Sequence, residues 1–304
     1  GIEIALSTRP IQTRDFSWDI NLNFSKNSNK VKELDGESDM FELEKASWLD
    51  VQVAAKVGEN FGSIVGPDFQ RNEKGDILID PQTGLPQYDK SNHVLGNASW
   101  DWTGGLLTNF TYKNLSLVAV FDVKVGADLY SMSARAAYES GKSPETLAGR
   151  DAWYRSEEER LAAGIAKGAD NWKPTGGFVA PGVIDNGDGT YRPNDIYINP
   201  EDYWMSVCRN APSMFIYDNS YVKCRELTLS YNVPKSWLKN VISGLTVSFV
   251  ARNPFIVWKN IPNIDPDSNY NNTTGMGLEY GSLPSRRSYG FNAVSYTHLR
   301  AHET

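Results

Sequence analysis

The sequence predicts an all-β fold: a partial transmembrane antiparallel β-barrel with long outward loops, some of them helical. Large apolar and polar residues alternate along several segments, as in strands with one apolar face. These segments occur in pairs, with short turns inside each pair and long polar stretches between pairs. Outer-membrane barrels have short turns at one end and long loops at the other, so this pattern favours a barrel wall.

The first strand pair lies at the start of the chain. Apolar residues alternate with others over residues 2–6, and residues 16–24 alternate five large apolar residues with four polar ones. Between these segments, Pro10, Arg14 and Asp15 interrupt the pattern. The sequence therefore predicts a hairpin that turns within this interruption.

Two further pairs show the same alternation. Residues 105–112 and 115–125 flank a turn at Lys113-Asn114, and the second of these segments gives the longest strand signal. Residues 227–233 and 245–251 form the third pair, with 234–244 as their connector. We therefore expect three hairpins in one sheet.

Long polar connections separate the hairpins, at about 26–104, 126–214 and 253–287. Connections of this length are uncommon inside compact soluble domains, which favours a barrel. Residues 127–167 are rich in Ala, Glu, Arg and Leu, and helix-start patterns near Pro144 and Ser156 predict one or two helices there. A small additional hairpin is expected within 61–79.

The composition narrows the class of protein. A formal net charge of −7 has the wrong sign for binding a phosphate backbone, so no nucleic-acid partner is expected. Mean hydropathy is −0.45, and no apolar run approaches the roughly 18 residues of a spanning helix, whereas barrel strands average to a polar composition. The 9 Trp, 15 Tyr and 12 Phe residues suit either barrel girdles or a carbohydrate-binding surface.

Several segments resemble a known family. They are residues 1–3 and 15–18, 95–105 (LGNASWDWTGG), 110–117 (FTYKNLSL), 221–231 (YVKCRELTLSY), 251–254 (ARNP) and 284–291 (PSRRSYGF). In this order they resemble the C-terminal barrel half of SusC/RagA-like TonB-dependent outer-membrane transporters of Bacteroidetes.

The resemblance implies the C-terminal arc of a roughly 22-stranded TonB-dependent receptor barrel in the Gram-negative outer membrane, surrounded by lipid. It implies a barrel plugged by an N-terminal domain and energised through the TonB complex. The implied activity is import of glycans (oligosaccharides) or peptides with a SusD-like surface lipoprotein as the lid. Neither enzymatic activity nor a cofactor is implied.

The resemblance also divides the chain. We expect residues 1–292 to belong to the barrel and residues 293–304 to be a non-native tail, since the tail resembles a translated sequencing adapter. The family's last strand ends in an aromatic residue, whereas here the strand pattern fails after Asn292. The plug, the TonB-contacting segment and a signal peptide are expected upstream of Gly1.

Residues that could carry chemistry give little support for an enzyme or a metal site. Outside the tail, which contains His298 and His302, the one histidine is His93, too few for a Ser/His/Asp arrangement. The carboxylate pairs Glu157 and Glu159, Asp185 and Asp188, and Asp265 and Asp267 are expected to lie on solvated loop faces rather than across a catalytic cleft.

Two smaller features leave alternatives open. The segment from Asp185 to Gly189 has the composition of a calcium loop but lacks its downstream Glu, so a tight turn is the favoured interpretation. Cys208 and Cys224 are either small packed residues, which we favour, or a single bridge.

Aromatic residues provide the candidate binding sites. The predicted substrate or lid contacts, in the long middle connection, are Trp153, Tyr154, Trp172, Tyr203 and Trp204, with ordinary loop packing as the alternative. The predicted membrane-interface residues, near strand ends, are Trp18, Phe24, Phe110, Tyr112, Tyr231 and Trp258.

Other functions fit some of the same residues. A secreted β-sandwich that binds or cleaves carbohydrate would use the aromatic residues and carboxylates, and its apolar strand faces would meet in a core. An adhesin or receptor barrel without import is a third interpretation. The substrate, glycan or peptide, is left open by the sequence.

Overall fold

The computed structural model describes residues 1–36, 38–45, 50–238, 242–271 and 273–296. In these ranges the strands are β1 (Ile2–Gln12), β2 (Phe16–Lys26), β3 (Met40–Lys45), β4 (Gln52–Lys56), β5 (Ser63–Phe69), β6 (Tyr88–Asn97), β7 (Trp102–Tyr112), β8 (Leu115–Val125), β9 (Asp128–Ser131), β10 (Phe178–Val179), β11 (Val183–Asp185), β12 (Tyr191–Pro193), β13 (Tyr197–Ile198), β14 (Ile216–Asp218), β15 (Tyr221–Asn232), β16 (Gly244–Lys259), β17 (Leu278–Glu279) and β18 (Ser288–Tyr296). The helices are α1 (Met132–Glu139), α2 (Arg150–Ala162) and α3 (Pro200–Asn210), with 3₁₀ turns at Pro144–Leu147, Pro212–Phe215 and Lys235–Trp237.

Among the described residues, seven strands form one antiparallel sheet in the order β1-β2-β7-β8-β15-β16-β18. The three predicted hairpins are confirmed as its adjacent pairs β1-β2, β7-β8 and β15-β16. Their connections, 13–15, 113–114 and 233–243, lie at one end of the sheet, and the long connections 27–101, 126–220 and 260–287 lie at the other. This meander is the predicted arc of a barrel wall.

Several predicted details of the strands were wrong. β1 does not end before Pro10 but continues to Gln12, with a register shift between Thr8 and Ile11. Proline, which has no N–H to donate, is tolerated because Pro10 lies within this register shift, where the β1-β2 pairing is interrupted. β16, with 16 residues, is longer than β8, which has 11, because its pattern continues past a bulge at Asn253 (φ 47°).

One face of the sheet is apolar. Residues that lie opposite each other on neighbouring strands share a face, so the strand register gives the rows of side chains on it. One row contains Ile11, Trp18, Phe110, Leu117, Leu229, Phe249 and Phe291. The next contains Thr8, Ile20, Thr108, Ala119, Leu227, Ala251 and Tyr289. Leu229 is 43% exposed and Phe291 84% exposed, so this apolar face is uncovered.

The opposite face is polar. One row contains Gln12, Ser17, Thr111, Ser116, Ser230, Ser248 and Asn292. The hydroxyls of Ser230 and Ser248 lie 2.8 Å apart, and those of Thr111 and Ser116 lie 3.3 Å apart. A row of polar side chains opposite an uncovered apolar face is the pattern of a barrel wall between lipid and an aqueous lumen.

The β-sandwich interpretation is contradicted by this arrangement. It required the apolar faces around Trp18 and Phe121 to meet in a core, but in the described part of the chain no second sheet covers that face. The buried cores lie instead within the long connections, around Ile64 and Phe215 and around Ile79 and Val207.

The long connections have more structure than predicted. β3 to β6 form a four-stranded antiparallel sheet in the first connection, whereas the hairpin predicted within 61–79 is reduced to β5 and a single bridge between Arg71 and Ile77. α2 begins at Arg150, so the helix start predicted near Ser156 was wrong, and Pro144 begins a 3₁₀ turn. No helix in the described ranges is long and apolar enough to cross a membrane.

The predicted barrel boundary at Asn292 falls inside β18, which pairs with β16 as far as Tyr296 opposite Gly244. The remaining tail, 297–304, lies outside the described residues. The non-native origin of 293–304 stays a prediction.

Candidate functional site

The long middle connection encloses a cavity of about 220 Å³ where α1, α2 and α3 approach one another. Four aromatic residues on these helices line it: Tyr138, Trp153, Tyr154 and Trp204. Three charged residues also contribute to the lining: Glu139, Arg150 and Glu201. The cavity thus combines flat aromatic surfaces with charged groups of both signs, a composition suited to binding a polar ligand.

Helix capping and ring packing fix two walls of the cavity. Ser131 caps α1 by accepting a hydrogen bond from the Ala134 N–H at 3.0 Å, and Asn199 caps α3 by accepting from the Glu201 N–H at 3.1 Å. The rings of Tyr138 and Trp204 lie 4.8 Å apart between centroids, so α1 and α3 are held together by this pair.

Gly149 positions the third wall. It precedes α2 with φ 79°, and a Cβ at this position would lie 2.7 Å from the carbonyl oxygen of Gly177. Two constraints therefore act on one residue, the left-handed backbone and the close approach of a second chain segment.

We expect Gly149→Ala to displace α2 and to alter the environment of Trp153. The backbone clash cannot be relieved by rotating a side chain, so the destabilisation should exceed the roughly 1 kcal/mol of left-handed strain alone. Gly164→Ala is the matched control, because Gly164 has φ 66° but no atom within 4 Å of its Cβ position. Thermal unfolding and tryptophan fluorescence check this, and equal losses in the two variants would contradict it.

Charged groups around the cavity differ in whether they have hydrogen-bond or ion-pair partners. The Arg150 guanidinium donates to the carbonyl oxygens of Thr146 (2.8 Å) and Gly141 (3.0 Å), and to the Thr146 hydroxyl at 2.7 Å. Within the described ranges, no side-chain hydrogen bond or ion pair engages the carboxylate of Glu139 or Glu201. The cavity therefore holds a satisfied cation and two unpaired anions.

The structure brings three of the five predicted contact residues together. Trp153 is half-buried, Tyr154 is 64% exposed and Trp204 is 8% exposed, and all three line the cavity. Trp153 also borders a neighbouring open groove of about 590 Å³ next to Asp202.

Tyr203 and Trp172 do not line this cavity. Tyr203 is 3% exposed, its ring centroid lies 4.6 Å from that of Phe178, and burial raises its pKa to about 12. Its position is that of a core residue. Trp172 lies on the loop after α2, away from both openings.

The predicted interface aromatics all lie on the apolar face, in two bands. Trp18, Phe110, Tyr112 and Tyr231 lie towards the short turns, and Phe24 and Trp258 towards the long connections. Along β7 the outermost rows of the two bands, at Gly104 opposite Phe24 and at Tyr112, lie eight residues apart, about 27 Å along the strand. With a strand tilt of about 40°, this corresponds to roughly 20 Å along the membrane normal, close to the height of a barrel's apolar band.

A buried ion cluster joins the third long connection to the polar face, and sequence reasoning missed it. The Lys223 ammonium, 1% exposed, contacts Asp267 at 2.5 Å and Asp265 at 3.2 Å. Arg225 bridges Asp267 and Asp122, each at 2.5 Å. The expectation that Asp265 and Asp267 lie on a solvated loop face was therefore wrong.

These carboxylates are ionised rather than poised for acid catalysis. Burial alone would raise their pKa values. Hydrogen bonds from Ser285 outweigh burial for Asp265, and those from Arg225 and Lys223 outweigh it for Asp267, so the pKa of each lies below its usual range. Their arrangement stabilises the connection and gives no sign of general acid–base chemistry.

The remaining candidates have ordinary structural roles. The segment from Asp185 is the tight turn of the β11-β12 hairpin, where Asp185 accepts from the Gly187 N–H at 2.8 Å. Cys208 and Cys224 are both buried and free, which confirms the packed interpretation, and burial raises the pKa of Cys208 to about 12.

Comparison with known proteins identifies relatives of this fold. No protein-family model matches the chain. It is 22% identical over 319 residues to the TonB-dependent receptor P3 of Formosa agariphila, covering 95% of this chain and 28% of the relative. It is 23% identical over 281 residues to the TonB-dependent receptor SusC of Bacteroides thetaiotaomicron, covering 88% of this chain and 24% of the relative.

Solved structures with a similar fold include a transporter complex. The RagAB peptide importer in its closed-closed state matches with a TM-score of 0.60 and 17% identity, over 96% of this chain and 28% of that chain. Its open-open state matches with a TM-score of 0.54 and 17% identity, over 97% of this chain and 28% of that chain. The chain spans about a quarter of the length of the relatives it matches.

The two-faced sheet with its asymmetric connections therefore has the fold of a TonB-dependent receptor barrel. More narrowly, the chain is a homologue of the SusC/RagA-like receptors, which confirms the resemblance read from its sequence.

Proposed function

We propose that this chain forms part of the wall and outward loops of an outer-membrane importer. The two-faced sheet carries the proposal: the apolar face contacts lipid, and the polar face lines the transport lumen. The aromatic bands anchor the wall at the two membrane interfaces. The chain has no enzymatic role in this proposal.

The whole protein imports a glycan, such as an oligosaccharide, or a peptide. Its homology to SusC favours a SusD-like surface lipoprotein as the lid, and its class favours energy supplied by the TonB complex. The likeness to a peptide importer concerns the fold, so both cargo classes remain part of the proposal. Trp153, Tyr154 and Trp204 contact cargo or lid at the cavity.

The experiment measures uptake by a strain from which the gene has been deleted and into which the full-length gene has been reintroduced. Labelled oligosaccharides and peptides are supplied, with and without an uncoupler that dissipates the proton motive force. We expect accumulation of at least one cargo class only when the membrane is energised. If cells whose outer membrane contains the protein accumulate neither class of cargo, the proposal is overturned.

Within that system, Tyr154→Ala should reduce uptake or lid association about three- to tenfold, because stacking on an aromatic ring contributes roughly 1 kcal/mol. Tyr154 is 64% exposed, so its removal leaves the core intact. Leu161→Ala is the matched control, since Leu161 lies on the same helix, is 66% exposed and does not line the cavity. If Tyr154→Ala gives wild-type values in both assays, the cavity does not contribute to uptake or to lid association.

A further inference from the structure

The chemistry of the cavity is more specific than aromatic stacking. Four aromatic residues line one volume of about 220 Å³, and the ring centroids of two of them, Tyr138 and Trp204, lie 4.8 Å apart. Aromatic faces carry negative electrostatic potential, so a cage of rings favours a cation over a neutral group of the same shape.

The charged groups of the lining leave an excess of negative charge, two carboxylates against one guanidinium. Arg150 is already engaged by three oxygen acceptors at 2.7–3.0 Å, and these hold its guanidinium against the turn before α2. Glu139, at the end of α1, and Glu201, in the first turn of α3, have no cationic partner in the described part of the chain. The unpaired carboxylates of the cavity therefore favour a positively charged ligand.

We propose that this cavity binds a guanidinium or ammonium group, with Glu139 and Glu201 as its counter-ions and the aromatic residues as its cage. The group is either a side chain of the cargo or a side chain of the lid lipoprotein. This inference rests on the proposed import function for its biological role, but binding is measured without transport.

The first arm measures binding to the purified full-length transporter. The probes are the blocked tripeptide acetyl-Gly-Arg-Gly-amide and its citrulline counterpart, which has nearly the same shape but no charge. We expect the arginine probe to bind at least about tenfold more tightly by calorimetry, as a desolvated cation–aromatic contact permits. Equal affinities for the two probes would overturn the inference.

The second arm uses variants. Glu139→Gln with Glu201→Gln should reduce the preference for arginine at least about threefold, because the two counter-ions are lost while the aromatic lining and the shape of the cavity are preserved. Glu158→Gln should keep it, because Glu158 is exposed on α2 outside the lining. A preference in the double variant equal to that of the wild type would overturn the inference.

The third arm separates the two sources of the cation. Weaker co-purification of the lid lipoprotein with the double variant places the group on the lid, whereas unchanged co-purification places it on the cargo. A transporter that imports normally but shows no arginine preference refutes the cavity inference alone. A transporter that binds arginine selectively but never imports refutes the proposed function alone.

Discussion

Replacing Lys223 with methionine should release the third long connection from the barrel wall. The substitution keeps the apolar stem but removes the ammonium that contacts Asp265 and Asp267. Asp267 retains Arg225, whereas Asp265 loses the only cation within salt-bridge distance of it among the described residues. Removing one partner of a buried pair costs about 3–5 kcal/mol, because the other charge remains buried.

Limited trypsin digestion of the folded full-length protein measures this release. Arg286 and Arg287 lie at the end of the connection, so cleavage there should accelerate strongly in Lys223→Met. Lys90→Met is the control, since Lys90 is exposed and has no ion pair in the described residues. Cleavage at the wild-type rate in Lys223→Met would show that the cluster does not hold the connection.

A second substitution separates charge from packing. Lys223→Met combined with Asp265→Asn removes the stranded anion and should recover much of the lost protection. The pKa of Asp265 is depressed, so the pair stabilises the wild type above about pH 4 and loses that contribution as the pH falls through the lowered value. The double variant should lack the part of this acid dependence that comes from Asp265, whereas the part from Asp267, which keeps its hydrogen bonds from Arg225, should remain.

The barrel wall could be predicted because its signals are local. Alternation with period two, Lys113-Asn114 as a two-residue turn and the length of the connections together specify strand pairing without any distant contact. The apolar face followed directly, because a strand in fixed register places every second residue on it. The bulge at Asn253 was missed, since a single extra residue leaves the surrounding pattern unchanged.

The site could be predicted only in part because it depends on contacts between distant residues. Nothing local brings Asp265 to Lys223, 42 positions earlier. For α3, by contrast, a usable signal was present: Asn199-Pro200-Glu201-Asp202 is a helix start. On that helix Tyr203 and Trp204 both pack in the core, and of the two only Trp204 also lines the cavity. Treating this segment as an irregular loop therefore assigned one core residue to the site.

An arginine on the apolar face should destabilise the barrel far more than an arginine one residue away on the polar face. Leu227 lies in a central row between Ala119 and Ala251, midway between the two aromatic bands. A cation near the bilayer midplane costs about 2–4 kcal/mol, so Leu227→Arg should lower the free energy of unfolding by that amount.

Thr228→Arg is the matched variant. Thr228 lies on the same strand but faces the lumen side, where its hydroxyl donates to Glu226 at 2.9 Å, so a new cation has water and a carboxylate beside it. We expect a loss below about 1 kcal/mol at this position. Guanidinium unfolding of the full-length protein from liposomes gives both values. The two sites are adjacent in sequence but lie on opposite faces of the sheet. Equal losses of stability, or a larger loss at Thr228, would therefore show that the apolar face does not contact lipid.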